Sequence, residues 1–302
     1  MRPGRRSRRC CKVARLNRLL IFGFGFTGGV FARRMQVDGW EVWAAVRSEA
    51  SADQARAAGV IPVDSGDQAA LVAAPPMTAI LVTPPPTERG CPALEALVPA
   101  IARAGAFPDW IGYLSTTGVY GDREGRWCFE TTPLHARSIE AGRRVAAERD
   151  WLEVGRGMGL TVQVFRLPGI YGPGRSPLER LHERTVRNIV KPGQVFSRIH
   201  VEDIAEALAA SIARPRAGGV YNIVDDTPAP THEVNAYAAA LLGMPPPPLI
   251  PWDEAGMPAQ ARRFWAENKR VSNARAKAEL GWRPIYPSYR EGLAAILAAK
   301  QG

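Results

Sequence analysis

No apolar run in the 302 residues approaches the roughly 20 needed to cross a bilayer, which argues against an integral membrane protein. Cysteine is scarce: Cys10, Cys11, Cys91 and Cys128 show neither zinc-finger spacing nor a disulfide framework, so no metal site is expected. A reducing, cytoplasmic setting fits that usage best. The adjacent Cys10 and Cys11 could bind metal or carry a lipid, though an arginine-rich arm explains them more simply. Acidic residues are missing before the first strand, where Arg2, Arg5, Arg6, Arg8, Arg9, Lys12, Arg15 and Arg18 stand alone. These eight charges account for most of the net +10, so the body is nearly balanced. The excess describes a basic, disordered arm over residues 1–18 rather than a nucleic-acid-binding face, and nucleic acid is not expected as a partner. A secretory signal is not expected either, because Arg15, Asn17 and Arg18 interrupt the stretch 13–22 where an apolar segment belongs. No internal repeat is visible.

What is present is an ordinary globular composition, 46% hydrophobic and 23% charged. The length allows one large α/β unit or two lobes sharing a cleft. Strand patterns at 19–23, 41–46, 60–63, 79–83, 110–115, 161–166 and 220–224 alternate with helical stretches at 52–58, 68–73, 93–104, 138–155, 177–190, 201–214 and 231–242. Residues 195–200 read as extended, and the prolines of 245–251 as a stiff connection inside a second lobe. The alternation predicts a Rossmann-type, doubly wound parallel sheet with a smaller C-terminal substrate lobe. Residues 19–166, with 195–225 returning, would form the dinucleotide-binding domain; 167–194 and 226–302 would form the lobe.

The first strand runs into Gly23-x-Gly25-x-x-Gly28. Glycines at this spacing permit a tight turn, let phosphates approach the backbone, and let the following helix pack close to the strand. The N–H groups of Phe26, Thr27 and Gly28 would then face a pyrophosphate. Nineteen residues beyond Gly28, where an acidic side chain would read the ribose hydroxyls of NAD, stand Arg47 and Ser48. A cationic fork and a hydroxyl suit the extra phosphate of NADP, so NADP is favoured over NAD; a solvated surface arginine is the alternative. Asp64 is placed to contact adenine or to close an ordinary turn. Thr83 and Pro84 could border the cofactor or form a plain turn.

With these features the chain resembles the extended and atypical short-chain dehydrogenase/reductases of the NAD-dependent epimerase/dehydratase family. The carriers are the glycine loop, Leu114-Ser115-Thr116-Thr117-Gly118-Val119-Tyr120-Gly121, Arg166-x-Pro168-Gly169-Ile170-Tyr171-Gly172, and Ile199-His200-Val201-Glu202-Asp203. The resemblance implies a lobe closing over a small-molecule substrate, often a nucleotide sugar, and commonly a homodimer. It selects Thr116 to hydrogen-bond a substrate oxygen, although a threonine there also caps the next turn. It sets Arg166, Pro168 and Ile170 beside the nicotinamide. It also exposes a departure. The family's Tyr-x-x-x-Lys pair falls on Glu140 and Arg144, which makes these the candidates for the missing catalytic pair. Arginine cannot shuttle a proton, because its pKa exceeds about 12. Glu140 could act as a base or simply pair with Arg144 one turn away. Tyr113, Tyr120 and Tyr171 are the substitutes in principle. Two functions follow: an NADP-dependent enzyme acting on a hydroxyl- or carbonyl-bearing substrate, or a catalytically silent NADP sensor.

Overall fold

The computed structural model describes residues 16–258, 262 and 265–301. Most of the expected basic arm, with Cys10 and Cys11, lies outside these residues. Arg18 does not: it opens the first strand and its Nε donates to Glu41 at 2.7 Å, so this charge is paired within the fold.

Seven strands form one parallel sheet: β1 Arg18–Phe22, β2 Glu41–Val46, β3 Ile61–Asp64, β4 Ala79–Val82, β5 Trp110–Thr116, β7 Val162–Leu167 and β11 Val220–Asn222. Their order is β11-β7-β5-β4-β1-β2-β3, with the direction of winding reversing between β1 and β4. Near-continuous burial along β1, β4 and β7 is what a parallel sheet covered on both faces requires.

One face carries α1 Phe26–Val37, α2 Glu49–Ala57 and α7 Val201–Ala213. Phe31, Ala32 and Met35 of α1 share a core with Ile204, Ala205 and Leu208 of α7. The other face carries α3 Gln68–Ala73, α4 Pro92–Ala104 and α5 Ile139–Met158, packed through Leu71, Leu97, Ile101, Ala147 and Trp151. Trp110 is fully enclosed between the layers. Its indole N–H reaches Gln163 (2.6 Å) and Ser211 (2.9 Å), and its ring occupies the space a side chain at Gly112 would need.

Short pairs outside the sheet build the rest. They are β8 Gly169–Tyr171 with β10 Arg198–His200, β9 Asn188–Val190 with β12 Leu249–Pro251, and β6 Trp127–Cys128 with β13 Arg270–Val271. The expected helix over 177–190 is therefore corrected. It ends as α6 at His182, and Asn188–Val190 turns extended to pair with the end of the proline-rich stretch. Of the extended stretch 195–200, Arg198–His200 form β10 beside β8, and α7 and β11 then return to the main sheet. A separate core holds α6, α8 Thr231–Leu241 and the C-terminal helix Tyr289–Gln301 around Leu178, Val234, Ala238 and Leu293. Between these elements the chain goes back to the sheet: Ala276, Leu280 and Trp282 are buried against α7 and β11.

Candidate functional site

The C-terminal edges of β1, β4, β5 and β7 open on one cleft of about 320 Å³. Such a crevice at the switch point of an open α/β sheet is where ligands bind. Its wall begins with the glycine loop. Gly23 has φ +88°, and a Cβ there would stand 2.7 Å from Pro84 Cγ and Thr83 Oγ1. Thr83 locks the loop by donating to the Gly23 carbonyl at 2.8 Å. Gly28 packs against β1, where a Cβ would meet Gly23 O at 3.1 Å and Ile21 Cγ2 at 3.2 Å. Gly25, by contrast, faces open space within 4 Å and precedes α1 without any side-chain cap. An uncapped helix start beneath an open glycine is what a pyrophosphate needs, so these residues fit a dinucleotide.

The opposite wall comes from β5, α5 and the β7–β8 junction. Thr116 ends β5 and accepts the Gly118 N–H at 3.1 Å, which leaves its own hydroxyl proton free to be donated. This threonine caps the turn and at the same time lines the cleft. Ser115 beside it gives its proton to buried Glu148 at 2.5 Å. Glu148 in turn receives Arg166 Nη2 at 2.8 Å, with both partners almost fully enclosed. Arg166 also donates to Tyr120 at 2.9 Å. It is committed to this internal network and is not among the cleft-lining residues, contrary to the place expected for it beside the nicotinamide.

Arg144 reaches into the cleft from the second turn of α5 and donates to the Leu114 carbonyl and to Tyr113 (3.2 Å), over whose ring it lies at 5.7 Å. Glu140 stands exposed in the first turn of α5, outside the cleft lining. The substitute tyrosines are also outside that lining. Tyr113 is buried beneath Arg144, and burial pushes its pKa up to about 12. Tyr120 is held between Arg166 and Asn222 (2.7 Å), and burial likewise raises it to about 12. Tyr171 contacts Ser288 in the smaller lobe, and burial raises it further.

The cleft thus gathers Gly25, Phe26, Thr27, Gly28, Thr83, Thr116, Arg144, Pro168 and Ile170. Gly23 and Pro84 lie behind the loop they shape. Arg47, Ser48 and Asp64 stand exposed along the same sheet edge, past β2 and β3, outside the cleft lining. Ser48 caps α2 by accepting from Ser51 N, and Asp64 accepts from Gly66 N at 2.8 Å, the ordinary turn contact. Sequence reasoning missed Arg175 as a lining residue. Its guanidinium lies 5.7 Å over the ring of Phe26, itself part of the glycine loop. Only its position just after Pro173-Gly174, in a loop beyond a strand edge, hinted at this.

Residues 94–224 match the NAD dependent epimerase/dehydratase family. A solved protein of unknown function from Silicibacter pomeroyi is 46% identical, covers 94% of this chain and 99% of its own, and superposes with a TM-score of 0.86. Protein YeeZ of Escherichia coli K12 is 28% identical over 292 residues, 90% of this chain and 97% of its own. The fold is also that of a dTDP-glucose 4,6-dehydratase from Streptomyces venezuelae solved with NAD, at 20% identity, 94% and 97% coverage and a TM-score of 0.75.

Proposed function

Because the chain belongs to the NAD-dependent epimerase/dehydratase family, we propose that it is an NADP-binding enzyme moving hydride to or from a small hydroxyl- or carbonyl-bearing substrate, a nucleotide sugar among the candidates. The observation that carries the reading is one cleft bordered by the uncapped start of α1, the Thr116 hydroxyl and the Arg144 guanidinium. A nicotinamide bound there supplies or accepts the hydride. Arg47 and Ser48, exposed past β2, support NADP over NAD, since a guanidinium fork matches a phosphate. Thr116 donates to the substrate oxygen and stabilises charge developing on it. Arg144 holds hydroxyl or phosphate oxygens and takes no part in proton movement. No tyrosine, histidine or carboxylate is among the residues lining the cleft, so water delivers the proton through its open mouth.

The test is NADPH oxidation by the full chain over a panel of carbonyl compounds and nucleotide sugars. Thr116→Val is expected to lower kcat about 10²-fold, on the scale of losing one oxyanion donor, with the NADPH dissociation constant unchanged within about twofold. One observation favours the second reading, a catalytically silent NADP sensor: exposed Glu140 and three buried tyrosines leave the cleft without the family's proton donor. NADPH binding without turnover, and with Thr116→Val indistinguishable from wild type, would decide for the sensor.

A further inference from the structure

Arg175 borders a second pocket as well as the cleft. The second pocket lies in the smaller lobe, opens to solvent and has a cavity volume of about 100 Å³. β8 divides the two spaces as strand alternation requires: Ile170 borders the cleft, while Gly169 and Tyr171 border the inner pocket. The inner walls are apolar, with Tyr171, Val234 and Leu293, yet three guanidinium groups line it: Arg175, Arg180 and Arg198. No carboxylate belongs to that lining, and none of the three arginines forms an ion pair among the described residues.

Arg198 is the telling member. Its Nη1 donates to the carbonyls of Phe196 and Ala229 at 2.8 Å each, whereas Nη2 has one long contact, 3.4 Å to Thr231. The nearby acid, Asp225, forms no ion pair with it: burial raises the carboxyl and lowers the guanidinium, each charge opposes the other's shift, and Asp225 Oδ2 has no hydrogen-bond partner. A half-buried cation with spare donors costs free energy until an anion reaches it.

We propose that this pocket takes the acid group of a small substrate with an apolar body, a carboxylate or a phosphate monoester, which reaches the cleft past Arg175, the residue bordering both spaces. The inference rests on the reading of the cleft as the hydride-transfer site and narrows its substrate class. A cavity of about 100 Å³ takes an acid group and the edge of the ring that carries it, and the aromatic and aliphatic walls suit a ring better than a sugar.

Calorimetric titration of the full chain tests this with 4-hydroxybenzoate, phenyl phosphate, the neutral 4-hydroxybenzamide and UDP, each with and without NADPH. At least one acid is expected to bind tenfold or more tightly than the amide, and the preferred acid identifies carboxylate or phosphate as the native group. Arg175→Gln and Arg180→Gln, both at exposed positions, are each expected to weaken that acid about tenfold. Equal binding of amide and benzoate would overturn the proposal. So would binding of UDP alone, binding of no probe, or unchanged affinity in both variants. NADPH affinity measured in the same samples separates the two readings. Acids binding without NADPH would remove the cofactor reading and leave the pocket, and NADPH binding without acids would do the reverse.

Discussion

Arg47 and Thr116 illustrate how differently single residues disclose their work. Thr116 is placed by strand β5 and its hydrogen bond to Gly118, so its donor points where the strand ends. Arg47 stands exposed past β2, and only the chemistry of its side chain speaks for a phosphate. Arg47→Ala is expected to weaken NADPH about 10- to 100-fold, the worth of one charge-assisted contact, while leaving NADH affinity unchanged; paired fluorescence titrations check it. Equal losses for both cofactors would show that Arg47 does not read the extra phosphate. The spacing of Gly23, Gly25 and Gly28 was legible because each glycine answers a local constraint: positive φ, open space, or contact with β1. Helix spacing gives Glu140 its neighbour in sequence but not the direction in which the first turn of α5 faces. The burial of Tyr113, Tyr120 and Tyr171 depends on layers contributed from distant parts of the chain.

Among the elements, α7 carries a pair of titrating groups at its start. His200, capping the helix, is 1% exposed, and burial pulls its pKa down to about 4 against the opposing pull of Glu202. Asp203 is fully enclosed, and burial pushes it up to about 7 although it accepts the N–H groups of Ile285 (2.5 Å) and Tyr286 (3.3 Å). Between about pH 4 and 6.5 the unfolded chain binds a proton at His200 that the fold refuses, so this group makes stability rise with pH. Asp203 acts in the opposite sense: the folded carboxyl keeps a proton that the unfolded one has lost, and that stabilisation fades as pH climbs through 7. Full titration is worth about 3 kcal/mol for His200 and about 4 kcal/mol for Asp203, so their two slopes nearly cancel between about pH 4.5 and 6.5. Asp203→Asn removes the opposing slope, and the urea-unfolding free energy of the variant minus that of wild type should rise by about 3 kcal/mol from pH 4 to 6.5. A difference that stays level with pH would refute the balance. The motif around His200 was visible in the sequence, but its enclosure by Tyr171 and Tyr286 was not. Long periodic elements such as β2 and α3 were legible to the residue, because apolar spacing over several residues leaves one period. Asn188–Val190 was not, because a three-residue strand takes its conformation from a partner some 60 residues away. The two-residue pair β6 and β13 escaped for the same reason.

At the scale of the molecule, the chain does not divide at Asp225 into a finished cofactor domain and an appended lobe. Ala276, Leu280 and Trp282 belong to the core beneath α7, and Asn273 bonds the Val224 carbonyl at 2.8 Å. A fragment ending at Asp225 exposes that surface and is expected to show no cooperative thermal transition and no NADPH binding, whereas removal of residues 1–15 should leave both intact; calorimetry and fluorescence titration decide. A folded, cofactor-binding fragment would mean that the returning segment is dispensable. The same return has a consequence for synthesis. Protein domains ordinarily fold as they leave the ribosome, N-terminal parts first. Here the sheet can assemble early, but the apolar face of α7 and β11 stays bare until Trp282 has been translated and released. A chain that stops before Trp282 therefore leaves that face bare and aggregation-prone, and the segment 276–282 acts as a seal applied after the sheet has formed.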